Sequence, residues 1–280
     1  MIGVHGQPQF QQNGAMKYNG LVDIGVNLTH RRFDADRGEV IERAAAAGVD
    51  YLVVTGVSAT QSAEALALAG RDAARRRATV GVHPHHASDW AAAGPAALES
   101  LLAHPVAAAV GETGLDYNRD FAPRAVQREA FAGQLGLAAR LGRPVFLHQR
   151  DAEADFLAIL AEYRPHLSAA VLHCFTGDAG FLAASLELDL HIGITGWICD
   201  ERRGGALREC IGAIPAERLM IETDAPFLLP RDLAAKPRDR RNEPAYLGHV
   251  LETVAALRGE SAGALAATTA ATSRAFFGFN

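Results

Sequence analysis

Short apolar runs rich in branched side chains alternate along this chain with alanine-rich stretches whose apolar positions recur at helical spacing. The runs are LVDIGV (21–26), YLVVTG (51–56), ATVGVH (78–83), VAAAVGE (106–112), PVFLH (144–148), AAVLHC (169–174), LHIGIT (190–195) and RLMIET (218–223). Each reads as a buried strand. The stretches between them predict helices at about 38–47, 61–76, 95–103, 124–141, 152–162, 179–187, 203–213 and 243–258, with a last one at 261–276. Sustained strand–helix alternation makes an α/β protein with a parallel sheet, because parallel neighbours need a crossover between them. Eight such strands in roughly 250 residues match a closed (β/α)8 TIM barrel. A doubly wound open sheet is the competing arrangement, but no GxGxxG follows the first strand. The barrel is the expected fold.

The composition fits it. Of 280 residues, 49% are hydrophobic and 21% charged, enough for a full core and far from a disordered chain. A net charge of −5 excludes an overall basic coat. Only Lys17 and Lys236 are lysines, however, so arginine carries nearly all the positive charge and can form local patches. Cys174, Cys199 and Cys210 form no close-spaced pair, which argues against a disulfide framework and points to a reducing cytoplasm. No apolar run reaches the roughly 18 to 20 residues of a membrane span. Residues 1–20 lack a signal-peptide pattern and read as a mobile extension, with Met16 an alternative start, before a single domain over 21–280.

In a TIM barrel the chemistry sits at the carboxyl ends of the strands. There the sequence places Asp23 and Asn27, then His83 and His85, Glu112, His148, His173, and finally Glu222 and Asp224. A single strand-end histidine is more often a hydrogen-bonded residue than a ligand. Ligand types recurring at the same end of strand after strand are another matter, and Glu112, His148, His173 and Asp224 together form the expected ring. Mixed imidazole and carboxylate donors hold a divalent cation such as Zn, Mn or Fe. Such a cation acidifies water and polarises a phosphoryl or carbonyl oxygen, and Glu112 or Asp224 can orient or deprotonate that water. Metal-assisted hydrolysis is the reaction class. No GxSxG supports a serine nucleophile. Arg202 and Arg203 follow the seventh strand, and Arg231, Arg238, Arg240 and Arg241 the eighth, on the proposed metal face. As loop charges they could simply be solvated, but guanidinium forks match phosphate geometry. Trp90, Trp197, Tyr117 and Phe227 could stack bases or pack the barrel.

Eight segments together carry a family resemblance: DIGVNLT (23–29), GVHPH (81–85), GETGLDYNRDF (111–121), PVFLHQRDA (144–152), LHCFTG (172–177), IGITGWICDERRG (192–204), IETDAPFLLPRDL (221–233) and RRNEPAYL (240–247). In order and spanning nearly everything after residue 20, they resemble the TatD family of metal-dependent nucleases, among the amidohydrolase-like barrels. The resemblance implies a cytoplasmic, monomeric, magnesium-dependent 3′-to-5′ exonuclease on single-stranded DNA and RNA, linked to repair of oxidative DNA damage. It makes Glu112, His148 and His173 metal ligands and Asp224 the catalytic acid. His83 and His85 become substrate-facing. The expected substrate-binding set adds Asn27, Arg202, Arg203, Arg240 and Arg241 from their places in the loops, with Asp23 and Glu222 supporting. Most members of the broad family carry His-x-His after the first strand's Asp, where this chain has Gly25 and Asn27. The DIGVNL form belongs to the branch that the chain resembles most. It leaves one firm metal site and, at most, a loosely held second cation at Glu112 and Asp224. Two imidazoles suit Zn2+ or Mn2+ by ligand softness, whereas the resemblance implies Mg2+. The alternative activity is a metal-dependent ester, aminoacyl-tRNA or small-molecule hydrolase on the same barrel.

Overall fold

The computed structural model describes residues 18–279. Its eight strands are β1 (Leu21–Val26), β2 (Val49–Val54), β3 (Arg76–Val80), β4 (Ala107–Asp116), β5 (Val145–Arg150), β6 (Ala170–Leu172), β7 (His191–Ile194) and β8 (Leu219–Ile221). They pair in parallel in sequence order. Outside them run α1 (Arg37–Ala46), α2 (Ala59–Gly70), α3 (Ser88–Leu102), α4 (Arg124–Leu141), α5 (Glu153–Tyr163), α6 (Ala179–Glu187), α7 (Gly205–Cys210), α8 (Leu247–Arg258) and α9 (Ala262–Phe277). This is the expected TIM barrel. No helix among the described residues is long and apolar enough to cross a membrane.

Local chemistry explains the ends. Ser58 and Asp178 cap α2 and α6 by accepting the amides of Gln61 and Phe181. Gly142 and Gly259 end α4 and α8 in left-handed conformation, where a Cβ would be strained. α3 starts earlier than its periodicity suggests and kinks at Gly94–Pro95, so the expected helix from residue 95 is its second half. Most of the proposed extension lies outside the described residues. Tyr18 at its end already packs on the barrel, its hydroxyl donating to Glu252 Oε1 at 3.3 Å.

The core has two layers. A large one packs the strands against the helices. A smaller one fills the barrel with Val22, Ile24, Val53, Ala109, Phe146, Val171 and Met220, and Phe277 and Phe279 at the end of α9 pack onto it. Residues two apart in a strand face the same side. Above inward-facing Phe146, Val171 and Met220 therefore stand His148, His173 and Glu222. Phe146 stacks on His173 with ring centroids 4.8 Å apart. An apolar floor thus carries a polar upper layer.

Seven ladders join β1 through β8, and β8 returns to β1 by individual bonds. Asp224 N–H donates to Gly25 O at 2.9 Å, and Asn27 N–H to Ala225 O at 2.8 Å. Below them, the fully buried Asp23 carboxylate accepts Thr223 N–H at 2.9 Å and the Thr223 hydroxyl at 2.5 Å. A side chain closes this seam.

Candidate metal centre

Glu112 is the hub. β4 runs through it to Asp116, and Glu112 N–H donates to Gly56 O, fixing the carboxylate at the barrel mouth. Three ring nitrogens converge on Glu112 Oε1: His173 Nε2 at 2.8 Å, His148 Nδ1 at 2.9 Å and His83 Nε2 at 3.3 Å. His148 Nδ1 and His173 Nε2 are 3.5 Å apart. Those separations suit donors sharing one ion, since bonds of about 2.1 Å at tetrahedral or octahedral angles place ligands roughly 3 to 3.5 Å apart.

The far nitrogen of each ring tells the three histidines apart. His173 Nδ1 faces Glu222 Oε2 at 3.3 Å, so a proton there leaves Nε2 a free lone pair. This is the carboxylate–histidine arrangement of metal centres. His148 Nε2 points toward Asp116 Oδ2 at 3.6 Å, too far for a hydrogen bond, and has no other partner. Its Nδ1 is likewise available. His83 differs: its Nδ1 already accepts His85 N–H at 3.1 Å, so neutral His83 carries its proton on Nε2. Although His83, Glu112 and His148 cluster closely enough to hold an ion, His83 is a donor there. Glu112, His148 and His173 form the donor set that fits a divalent cation.

Electrostatics agree. Burial opposes a charged Glu112, but the charge of His173, with hydrogen bonds from His148 and His173, outweighs it and holds the carboxyl well below its ordinary range. Burial also opposes His173 protonation, yet Glu112 and Glu222 raise it well above 6.5. Burial lowers His83 to about 4, keeping it neutral at physiological pH. Without an ion, protons hold the cluster together.

Asp224 follows β8 on the wall of the same cavity, in left-handed conformation with φ 53°. That strain is tolerable because Asn27 Nδ2 donates to its Oδ1 at 2.9 Å and the seam fixes its backbone. Burial raises Asp224 to about 7, with Glu112 and Glu222 adding and His173 opposing. Asn27, expected at the substrate, thus acts first on Asp224. Asp23 lies in the β8–β1 seam, and Glu222 lies behind His173. Besides backing His173, Glu222 accepts Cys174 N–H at 2.5 Å. Glycines make room for it: a Cβ at Gly25 would overlap the Glu222 carboxylate, and one at Gly193 would crowd it from β7.

The cavity measures about 760 Å³ and holds His83, His85, Glu112, His148, His173 and Asp224. Three residues had escaped notice. Asp116 binds His85 Nε2 at 2.7 Å, and Arg31 and Arg119 line the rim. Asp116 was hidden because Gly114 makes the end of its strand read as a turn.

The arginine expectations need correction. Arg241 is committed elsewhere, to Asp36 at 2.6 Å and Glu243 at 2.7 Å, with its side chain only 13% exposed. Its Nη1 and Nη2 are fully engaged, and only the buried Nε lacks a hydrogen-bond partner, so no fork is left for phosphate. Arg240 is exposed. Arg202 and Arg203 lie with Arg231 around the buried Asp200, and Arg203 also stacks over Trp197 at 4.4 Å. None of these arginines lines the metal cavity. Trp90 is core. Among the described residues the exposed large aromatics are Phe121 beside His85 and Phe227 against His30.

Eight parallel strands bearing a carboxylate–histidine cluster at their carboxyl ends define a metal-dependent hydrolase barrel. Within that class, residues 22–278 match the family described as TatD related DNase, and the chain belongs to it. It is 52% identical over 258 residues to the "3′-5′ ssDNA/RNA exonuclease TatD" of Erwinia amylovora, covering 92% of this chain and all of that one. The protein of that name from Escherichia fergusonii is 50% identical, over 93% of this chain and all of its own. The solved structure of YjjV, a TatD homologue from Escherichia coli, superposes with TM-score 0.84 at 27% identity, covering 92% of this chain and 98% of that one. A TatD family hydrolase from Entamoeba histolytica shares the fold with TM-score 0.84 at 23% identity, covering 94% and 99%.

Proposed function

We propose that this chain is a 3′-to-5′ exonuclease that hydrolyses the phosphodiester bonds of single-stranded DNA and RNA. It acts as a cytoplasmic monomer with magnesium and serves DNA repair. The observation that carries the reading is the convergence of His148 and His173 on one oxygen of Glu112, at the floor of a cavity rimmed by arginine. The relatives named as such exonucleases, aligned over nearly the whole chain, support the substrate and polarity.

Glu112, His148 and His173 would hold the cation, which supplies Lewis-acid charge at the phosphate and acidifies water. The remaining steps belong to the protein. Asp224, with its carboxyl near 7, ionises within the physiological range and takes the proton of the attacking water. Asn27 keeps that carboxylate aimed into the cavity. Neutral His83 keeps its Nε2–H on Glu112 Oε1 and so holds the ligand carboxylate in place. Arg31 and Arg119 draw in the backbone, and Phe121 and Phe227 offer faces to unstacked bases. A single-mouthed cup admits a chain terminus more readily than the middle of a strand.

End-labelled single strands should be degraded with Mg2+ and not in excess chelator, while a Mn2+ and Zn2+ series identifies the preferred ion. A phosphorothioate block at the 3′ end should protect, and one at the 5′ end should not. Asp224→Asn should lose at least about a hundredfold in kcat while still binding the strand. Full activity in chelator, or rapid cutting of a closed circular single strand, refutes the proposal.

A further inference from the structure

A second group of ligand-type side chains lies outside the active cavity. Cys199 ends the turn after β7, Asp232 lies in the loop after β8, and His249 stands in the first turn of α8. Their Sγ, carboxylate and imidazole donor atoms all lie within 4.8 Å of one another. His249 Nε2 is 2.6 Å from Asp232 Oδ1, both half-exposed above the buried thiol. None of the three lines the catalytic cavity.

We infer that Cys199, Asp232 and His249 form a separate site for a thiophilic divalent cation of the zinc class. The donor set selects the ion: thiolate, imidazole and carboxylate together suit zinc, whereas magnesium and calcium take oxygen donors. The spacing is compatible. Zinc bonds of about 2.3 Å to sulfur and about 2.0 Å to nitrogen or oxygen set tetrahedral donors roughly 3.3 to 3.6 Å apart. The His249–Asp232 gap of 2.6 Å must open by less than about 1 Å, and Cys199, within 4.8 Å of both, must close by at most about 1.5 Å. Two half-exposed side chains on a loop and a helix end allow this, and they leave an entry path that the buried sulfur lacks. The chemistry balances simply. The Cys199 S–H bond breaks, its proton leaves to solvent, and the sulfur lone pair forms the metal bond in place of the contact with Thr253 Oγ1 at 3.5 Å. Water completes a four-coordinate shell. Because the ligands come from two loops and a helix, the ion would staple the segments after β7 and β8 to α8.

The test uses Co2+ as the probe on the full chain. The wild type should give a thiolate-to-cobalt charge-transfer band in the near ultraviolet. That band should vanish in Cys199→Ser and persist in Cys174→Ser, which removes the only thiol at the catalytic cavity. His249→Ala, on the surface, should weaken the cobalt affinity by at least about tenfold, the smallest loss typical even of an outer partner of a metal site. Absence of the band in the wild type, or its survival in Cys199→Ser, overturns the inference.

Discussion

Single protons on single nitrogens decide the roles at the centre. His83, His148 and His173 all reach Glu112, and by distance alone any two of them could share an ion with it. The backbone amide at His83 Nδ1 breaks the tie, since a neutral ring accepting at one nitrogen must donate at the other. His83→Gln should therefore leave about one tight cation per chain and lower turnover. His173→Gln should weaken cation binding by at least about tenfold. Metal analysis after dialysis distinguishes them, and equal loss of the ion in both variants would show that His83 is a ligand too. None of this was readable from the sequence. The residue types at the strand ends were, because parallel strands deliver every second side chain to one mouth, but a tautomer depends on which backbone amide folds beneath the ring.

Elements sort the arginines. The loop after β8 looked in sequence like a phosphate-binding arm, yet the side chain of Arg241 ties that loop to α1 through Asp36, 205 residues away. No periodicity reveals such a pairing. Arg43 of α1 completes the arrangement by binding Glu243 at 2.8 Å. Arg241→Ala should cost on the order of 1 to 2 kcal/mol, because it removes several charge-assisted hydrogen bonds while Arg43 keeps both Asp36 and Glu243 paired. The loss should read as a lower urea midpoint with the salt dependence of strand binding unchanged. Arg31→Ala with Arg119→Ala should do the reverse, keeping stability and flattening the log K against log salt slope by about one to two units. An unchanged slope in that double variant would remove both residues from the substrate path. The number, order and type of the strands and helices were legible, because buried parallel strands and amphipathic helices leave different periods. Several ends were not: α2 stops at Gly70 short of 76, α3 begins at Ser88 ahead of 95, and β3 stops at Val80 short of 83. The end of β4 was not, since Gly114 mimics a turn while its neighbours continue the ladder.

At the scale of the whole barrel, closure depends on Asp23. Burial lifts its carboxyl to about 8 against the pull of Thr223. The folded chain thus holds a proton that the unfolded chain releases above its ordinary 3.8. That contribution to stability is present at low pH and is lost as pH rises toward 8. Asp23→Asn fixes the neutral shape, so its melting temperature should vary less between pH 5 and 9 than that of the wild type. Parallel curves would show that the seam does not titrate. The same mouth also constrains how this barrel can change. Any side chain at Gly25 meets the carboxylate of Glu222, which is fully buried and already held by His173 Nδ1 and Cys174 N–H. Enlarging position 25 therefore displaces the acid that orients His173, so the size of one first-strand residue governs a ligand three strands away.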